Sequence, residues 1–141
     1  MRCDEVTTPS ELLNQRMLAL TQGDFGLIYD SYHPEAPFLG HFPDRSEYLE
    51  FAQQQLLEIA LVEWKTFGQR EKQKGKVEIL LWMRIGEGAA AQDLFELALL
   101  FQTEAGWRYH SAQKLTSEDY SGSIDEISFL VFDQAVQKIR F

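Results

Sequence analysis

The spacing of apolar residues changes period near the middle of the chain, from helical before Ala60 to alternating after it. Thr8-Pro9-Ser10-Glu11 predicts a helix start: Thr8 offers a capping oxygen, Pro9 fits the first helical position and Glu11 completes a capping box. Leu12, Leu13, Arg16, Met17 and Leu20 follow, with the apolar members on one face, and Gly23 is a good terminator. Asp24 caps a shorter helix in which Phe25, Ile28, Tyr29 and Tyr32 share a face. His33-Pro34 ends it, because the residue before a proline avoids the helical region. Glu35 to Pro43, with two prolines and Gly40, reads as a loop. Asp44-Arg45-Ser46-Glu47 opens a third helix whose buried stripe is Tyr48, Phe51, Ala52, Leu56, Ile59 and Ala60.

From Leu61 to Arg70 the chain holds Val62, Trp64, Thr66 and Phe67, which favour strand. Lys72-Gln73-Lys74-Gly75 turns it. Val77, Ile79, Leu81, Met83 and Ile85 then alternate with Lys76, Glu78, Leu80, Trp82 and Arg84, and Gly86-Glu87-Gly88 makes the next turn. Ala90 to Thr103 also suits a helix through Leu94, Leu97, Ala98 and Phe101. Its place between glycine turns, with Trp107-Arg108-Tyr109-His110 following Gly106, predicts a strand. Thr116 to Ser123 is a polar linker. Ser123 and Glu126 cap a final helix carrying Ile124, Ile127, Leu130, Val131, Val136 and Ile139.

The expected fold is therefore α+β, three N-terminal helices packed on a curved four-stranded antiparallel meander, with a C-terminal helix. Residues 1–7 read as a frayed terminus, 8–115 as the domain, 116–123 as a linker and 124–141 as an amphipathic helix. A length of 141 residues suits one domain, and 45% apolar with 13% aromatic residues excludes a disordered chain.

A formal charge of −9 disfavours nucleic acid and anionic membrane surfaces. The basic knot from Arg70 to Lys76 is short and sits at a hairpin tip. Cys3, the single cysteine, cannot make an internal disulfide and excludes a cysteine-based structural zinc site. With no apolar signal-peptide core and no run near the ~18 residues of a membrane span, the cytoplasm is the expected location.

Helices followed by an antiparallel meander form the element order of the nuclear transport factor two-like superfamily. Thr8-Pro9, Arg16-Met17 with Ala19, Gly23-Asp24, Tyr29 and His33-Pro34 resemble the middle domain of bacterial YchJ-type proteins. Phe101 followed by Glu104-Ala105-Gly106-Trp107 is similar to the end of such domains. The resemblance covers residues 8 to about 115 and implies a cone-shaped fold. It departs in lacking the cysteine-rich SEC-C zinc motif and in the apolar run Phe95-Glu96-Leu97-Ala98-Leu99-Leu100-Phe101, where that family is polar and basic. It transfers no functional residue.

Three histidines are candidates for chemistry on residue type alone. His33 at a helix end has an electrostatic reason to be there, and the alternative is that it lines the mouth of the fold's cavity beside Tyr32. His41 lies in a loop, and His110 on a strand is the histidine best placed to face a cavity. No two ligands fall at a tight metal spacing, so no metal and no cofactor is expected. Some members of the resembled superfamily, such as ketosteroid isomerases and SnoaL-like cyclases, use an acid–base residue in the cone. That chemistry needs a carboxylate or imidazole in an apolar pocket plus a hydrogen-bond donor. Glu63, Glu78, Asp93 and Glu96 are the strand carboxylates. The plain alternative is that they face solvent. The pocket candidates are Tyr29, Tyr32, His33, Trp64, Glu96, Tyr109 and His110. The facing of Glu96 hangs on loop parity: a two-residue turn at Glu87-Gly88 pairs the odd face of the second strand with the even face of the third, and a three-residue turn reverses it.

Leu80 and Trp82 lie opposite Val77, Ile79 and Leu81, so this strand is apolar on both faces, and Leu100 or Phe95 joins the patch in either register. Something must cover the second face: a second copy of the chain, with Leu80, Trp82 and Leu100 as interface, or the final helix. The sequence thus favours a non-catalytic binding or assembly module forming a homodimer. The alternative is a small-molecule-binding protein or an acid–base enzyme of isomerase or cyclase type, using the cone-shaped pocket.

Overall fold

The computed structural model describes residues 8–56, 61–86, 89 and 91–135. Helix α1 spans Pro9–Gln22, with the Thr8 side chain accepting from the Glu11 N–H at 3.2 Å and Gly23 closing it at φ 72°. Asp24 caps α2, Phe25–Asp30, by accepting from the Leu27 N–H. Asp44 caps α4, Arg45–Gln55, by accepting from the Ser46 N–H. Ile59 and Ala60, expected on the stripe of this last helix, lie outside the described residues.

One element is added to the expected set. The stretch read as a loop from Glu35 to Pro43 contains a short helix, α3, at Pro37–His41. Pro37 occupies a starting position that tolerates its missing N–H, and Phe38 stacks on Tyr32 at 4.3 Å, which anchors the turn.

Four strands follow as an antiparallel meander in the order β1-β2-β3-β4: Leu61–Gln73, Lys76–Ile85, Gln92–Thr103 and Gly106–Thr116. The ambiguous segment is β3. Its ladders on both sides, Leu81↔Glu96↔Lys114 among them, satisfy its backbone groups without a helix. Ile85 pairs with Gln92, which has the parity of the two-residue turn, so Glu96 shares a face with Leu81.

That face carries the helices. Leu12 and Leu13 of α1 pack on Val77, Ile79, Ala98, Leu100 and Tyr109, while Met17 packs on Leu81 and Met83. Phe25, Ile28, Tyr48 and Ala52 bind α2 and α4 to the outside of α1.

The second face is covered by the chain itself. Leu80, Trp82, Phe95, Leu97 and Leu115 pack against Ile127 and Phe132, joined by Tyr120, Ile124 and Phe129. The single C-terminal helix expected from Ile124 is broken here. A 3-10 turn at Ile124–Glu126 is followed by extended backbone at Ile127 and Ser128, then by α5 at Phe129–Asp133. The extended step lets Ile124 and Ile127 on one side, and Phe129 and Phe132 on the other, all reach the sheet. Val136 and Ile139 lie outside the described residues.

Polar contacts pin this cover. Arg70 donates through Nε to Glu78 at 2.8 Å and through both terminal nitrogens to Asp133 at 3.0 and 2.7 Å, and it lies over the Phe129 ring. Gln113 Nε2 donates to the Phe132 carbonyl at 3.2 Å. Leu80 and Trp82 are thus buried within one chain, and Phe95 completes their patch. Leu100 is not part of it: the observed register turns this residue to the helix side against Leu12.

Candidate functional site

Arg16 stands in the apolar stripe of α1, four residues after Leu12, and this spacing carries its charge under the helix layer. It is 9% exposed. Its Nη1 donates to Ser31 Oγ and to the Ile28 carbonyl at 3.4 Å, and its Nη2 reaches the Tyr32 hydroxyl at 3.4 Å. The guanidinium lies over the Tyr109 ring, 3.8 Å from its centroid, and 4.7 Å from that of Tyr32. Its Nε finds no hydrogen-bond partner among the described residues.

A local irregularity of β4 places Tyr109. Leu99 pairs with Ser111 and Leu100 with Tyr109, so His110 is an extra residue, and the resulting bulge puts Tyr109 on the same face as Ala112. The outer edge of β4 is held by the end of α2: the His33 N–H donates to the Tyr109 carbonyl and the Tyr109 N–H to the Ser31 carbonyl, each at 2.8 Å. This short parallel bridge carries Ser31 and Tyr32 to the side of Arg16.

Glu96 completes the group. It is 5% exposed, and its Oε2 accepts the Tyr109 hydroxyl at 2.9 Å. Burial, and next the charge of Glu96, push the Tyr109 hydroxyl well above the ordinary tyrosine range, so it stays a donor. Burial works against the Arg16 cation, but Tyr32, Tyr109 and Glu96 more than offset it, and the net shift is upward.

These groups line a cleft of about 190 Å³ between α1, α3 and the sheet, with Leu20 and Phe38 as apolar walls and Lys114 at its rim. A second cavity of about 300 Å³ shares Arg16, Leu20, Tyr32 and Phe38, and continues between the helices to Tyr48, Phe51 and Leu56. The space between helices and sheet is thus partly open.

Of the pocket residues expected from sequence, Tyr32, Glu96 and Tyr109 meet in this cleft. The others do not join them. Tyr29 donates to the Phe42 carbonyl within the helix layer, and Trp64 donates to Asn14 Oδ1 at the β1 side of α1. His33 and His110 pack around Phe101, their rings 5.0 and 4.4 Å from it. Arg16, Phe38 and Lys114 join the cleft without being expected there from the sequence. For Arg16 a signal existed, since it is the one charged member of an otherwise apolar helical stripe.

Of the strand carboxylates, Glu63 is exposed and Asp93 half-buried, with the latter accepting from Trp82 Nε1 at 2.9 Å. Glu78 and Glu96 are both buried, on opposite faces of the sheet. Among the described residues no three His, Cys, Asp or Glu side chains converge as metal ligands, and no helix is long and apolar enough to cross a membrane.

A scan against protein-family models finds no match, and neither a search of curated proteins nor one of solved structures returns a significant similarity.

Proposed function

We propose that the chain is a small-molecule-binding domain of the nuclear transport factor two-like kind, with its ligand in the cleft between α1 and the sheet. The observation that carries this reading is Arg16, a buried cation with an unused N–H, lining an open cavity. A buried charge costs several kcal/mol unless its hydrogen bonds are complete, roughly 1–3 kcal/mol for each group left unmet. A ligand that reaches this guanidinium from the cleft supplies it with further acceptors.

Kinship with the superfamily is supported by helices preceding a four-stranded meander and by a cleft between the two layers. The steps that resemble YchJ-type domains have structural tasks here: Thr8 and Asp24 cap helices, Gly23 ends one, and His33 bonds the β4 edge. They support the fold and leave the ligand open.

An acid–base enzyme is the weaker reading, because the Tyr109 hydroxyl, the donor such chemistry needs, is already engaged by Glu96. A homodimer through the sheet loses its motive, because the second face is covered from within the chain.

The test is a thermal-shift screen of a metabolite library against the wild-type chain and a cleft-filled variant, Leu20→Trp. Compounds that stabilise the wild type by several degrees and leave the variant unmoved are the expected result. A library with no stabilising compound, or with compounds acting equally on both proteins, defeats the proposal.

A further inference from the structure

Resting on that reading of the cleft, we infer that its ligand is a small zwitterion, an α-amino acid with an apolar side chain.

The charge pattern in the interior of the site is dipolar, with Lys114 at the rim outside it. Arg16 lies over the face of Tyr109, and Glu96 takes the hydroxyl at the end of the same ring, so cation and carboxylate stand about one phenol ring apart. Neither closes directly on the other, and the space beside them is open. Inside the rim, where Lys114 stands, a simple anion would be drawn to Arg16 and repelled by Glu96, and a simple cation would meet the reverse. A molecule with ammonium and carboxylate on one carbon matches both at no cost in net charge.

The donors point the same way. Nη1 is committed to Ser31 and the Ile28 carbonyl, and Nε is closed off by its surroundings, which leaves Nη2 as the donor for a ligand carboxylate. Only the long contact to Tyr32 competes for it. Glu96 uses Oε2 for Tyr109, and an ionised carboxylate has about four lone-pair sites, enough for an ammonium as well.

Size and polarity set the rest. A cleft of about 190 Å³ is below the roughly 300–1,000 Å³ typical of sites for drug-sized ligands. The adjoining cavity, walled by Ile28, Tyr48, Phe51 and Leu56, offers an apolar place for a side chain.

The experiment measures binding of leucine, methionine and phenylalanine by calorimetry, beside isocaproate, isoamylamine and isocaproamide, which keep the leucine side chain but lack one charge or both. At least one amino acid is expected to bind at least about tenfold more tightly than any of the three partial probes, one decade being the worth of about 1.4 kcal/mol. Glu96→Gln, which keeps an acceptor for Tyr109, is expected to erase the preference for leucine over isocaproate. Any of the three partial probes binding as well as the amino acids overturns the zwitterion and leaves the cleft as a ligand site. No binding by any of the six also overturns it, and if the library screen is empty as well, the ligand site falls with it.

Discussion

Each face of the sheet buries a carboxylate and supplies it with an arginine, but the two pairs are built for different ends. On the second face Arg70 donates from all three nitrogens, to Glu78 and to Asp133, and thereby fastens α5 over Trp82 and Phe95. On the helix face Arg16 and Glu96 are held apart by Tyr109, one N–H is unused, and a cavity adjoins them. Well-packed apolar residues of similar volume often match or exceed a buried ion pair in stability. The first set is complete on all three nitrogens and joins β1 and β2 to α5, and this connection is what makes it a fastener. The second is too incomplete to be one, which is the physical reason to assign it to a ligand.

The largest expected effect concerns the cover itself. Phe132 is fully buried between α5 and the sheet, and Phe132→Ala should cost about 3–5 kcal/mol in urea unfolding. A loss below about 1 kcal/mol would mean that the second face does not depend on this cover.

A smaller effect separates the two arginines. Arg70→Met removes the closest cation from buried Glu78, leaving Lys72 at 3.8 Å, and should cost about 2–4 kcal/mol. Arg16→Met should cost about 1–2 kcal/mol, because Ser31 keeps its bond to the Ile28 carbonyl and Glu96 keeps Tyr109. Equal losses, or the reverse order, would break the distinction between fastener and site.

The smallest effect is a pH slope to which the helix face contributes through Tyr109. Tyr109 ionises in the unfolded chain near pH 10, but burial and then Glu96 hold it protonated when folded. The folded state then binds more protons than the unfolded one, so stability falls as pH rises above about 10. Tyr48, raised by burial to about 12, adds to this loss between those values. Tyr109→Phe should flatten the slope in alkaline denaturation curves. An unchanged slope would place Tyr109 outside the buried network.

Much of the fold was legible because its signals are local. Thr8, Asp24 and Asp44 cap the helices they announce, and the alternation from Val77 to Ile85 is a strand with one row against α1. Less local features escaped. Pro37 opens a helix that depends on Phe38 meeting Tyr32, a contact across the loop. The break at Ile127 and Ser128 lets both ends of the last segment reach a sheet whose position the segment cannot encode. The site was legible only in part for the same reason. Glu96 depended on loop parity, Tyr109 on a bulge at His110, and Arg16 on three partners brought from the end of α2.

The bulge and bridge at β4 also bear on how the sheet avoids sticking to other chains. An open sheet presents a row of free amides and carbonyls at each margin, an invitation to strand addition and fibril growth. At β4 the segment around Tyr32 occupies part of that row. At β1 the defence is of another kind: three register shifts kink the strand, and Glu63, Lys65, Glu71 and Lys72 stud it with exposed charge. The meander thus stays open without closing into a barrel, with one margin occupied by its own chain and the other bent and charged.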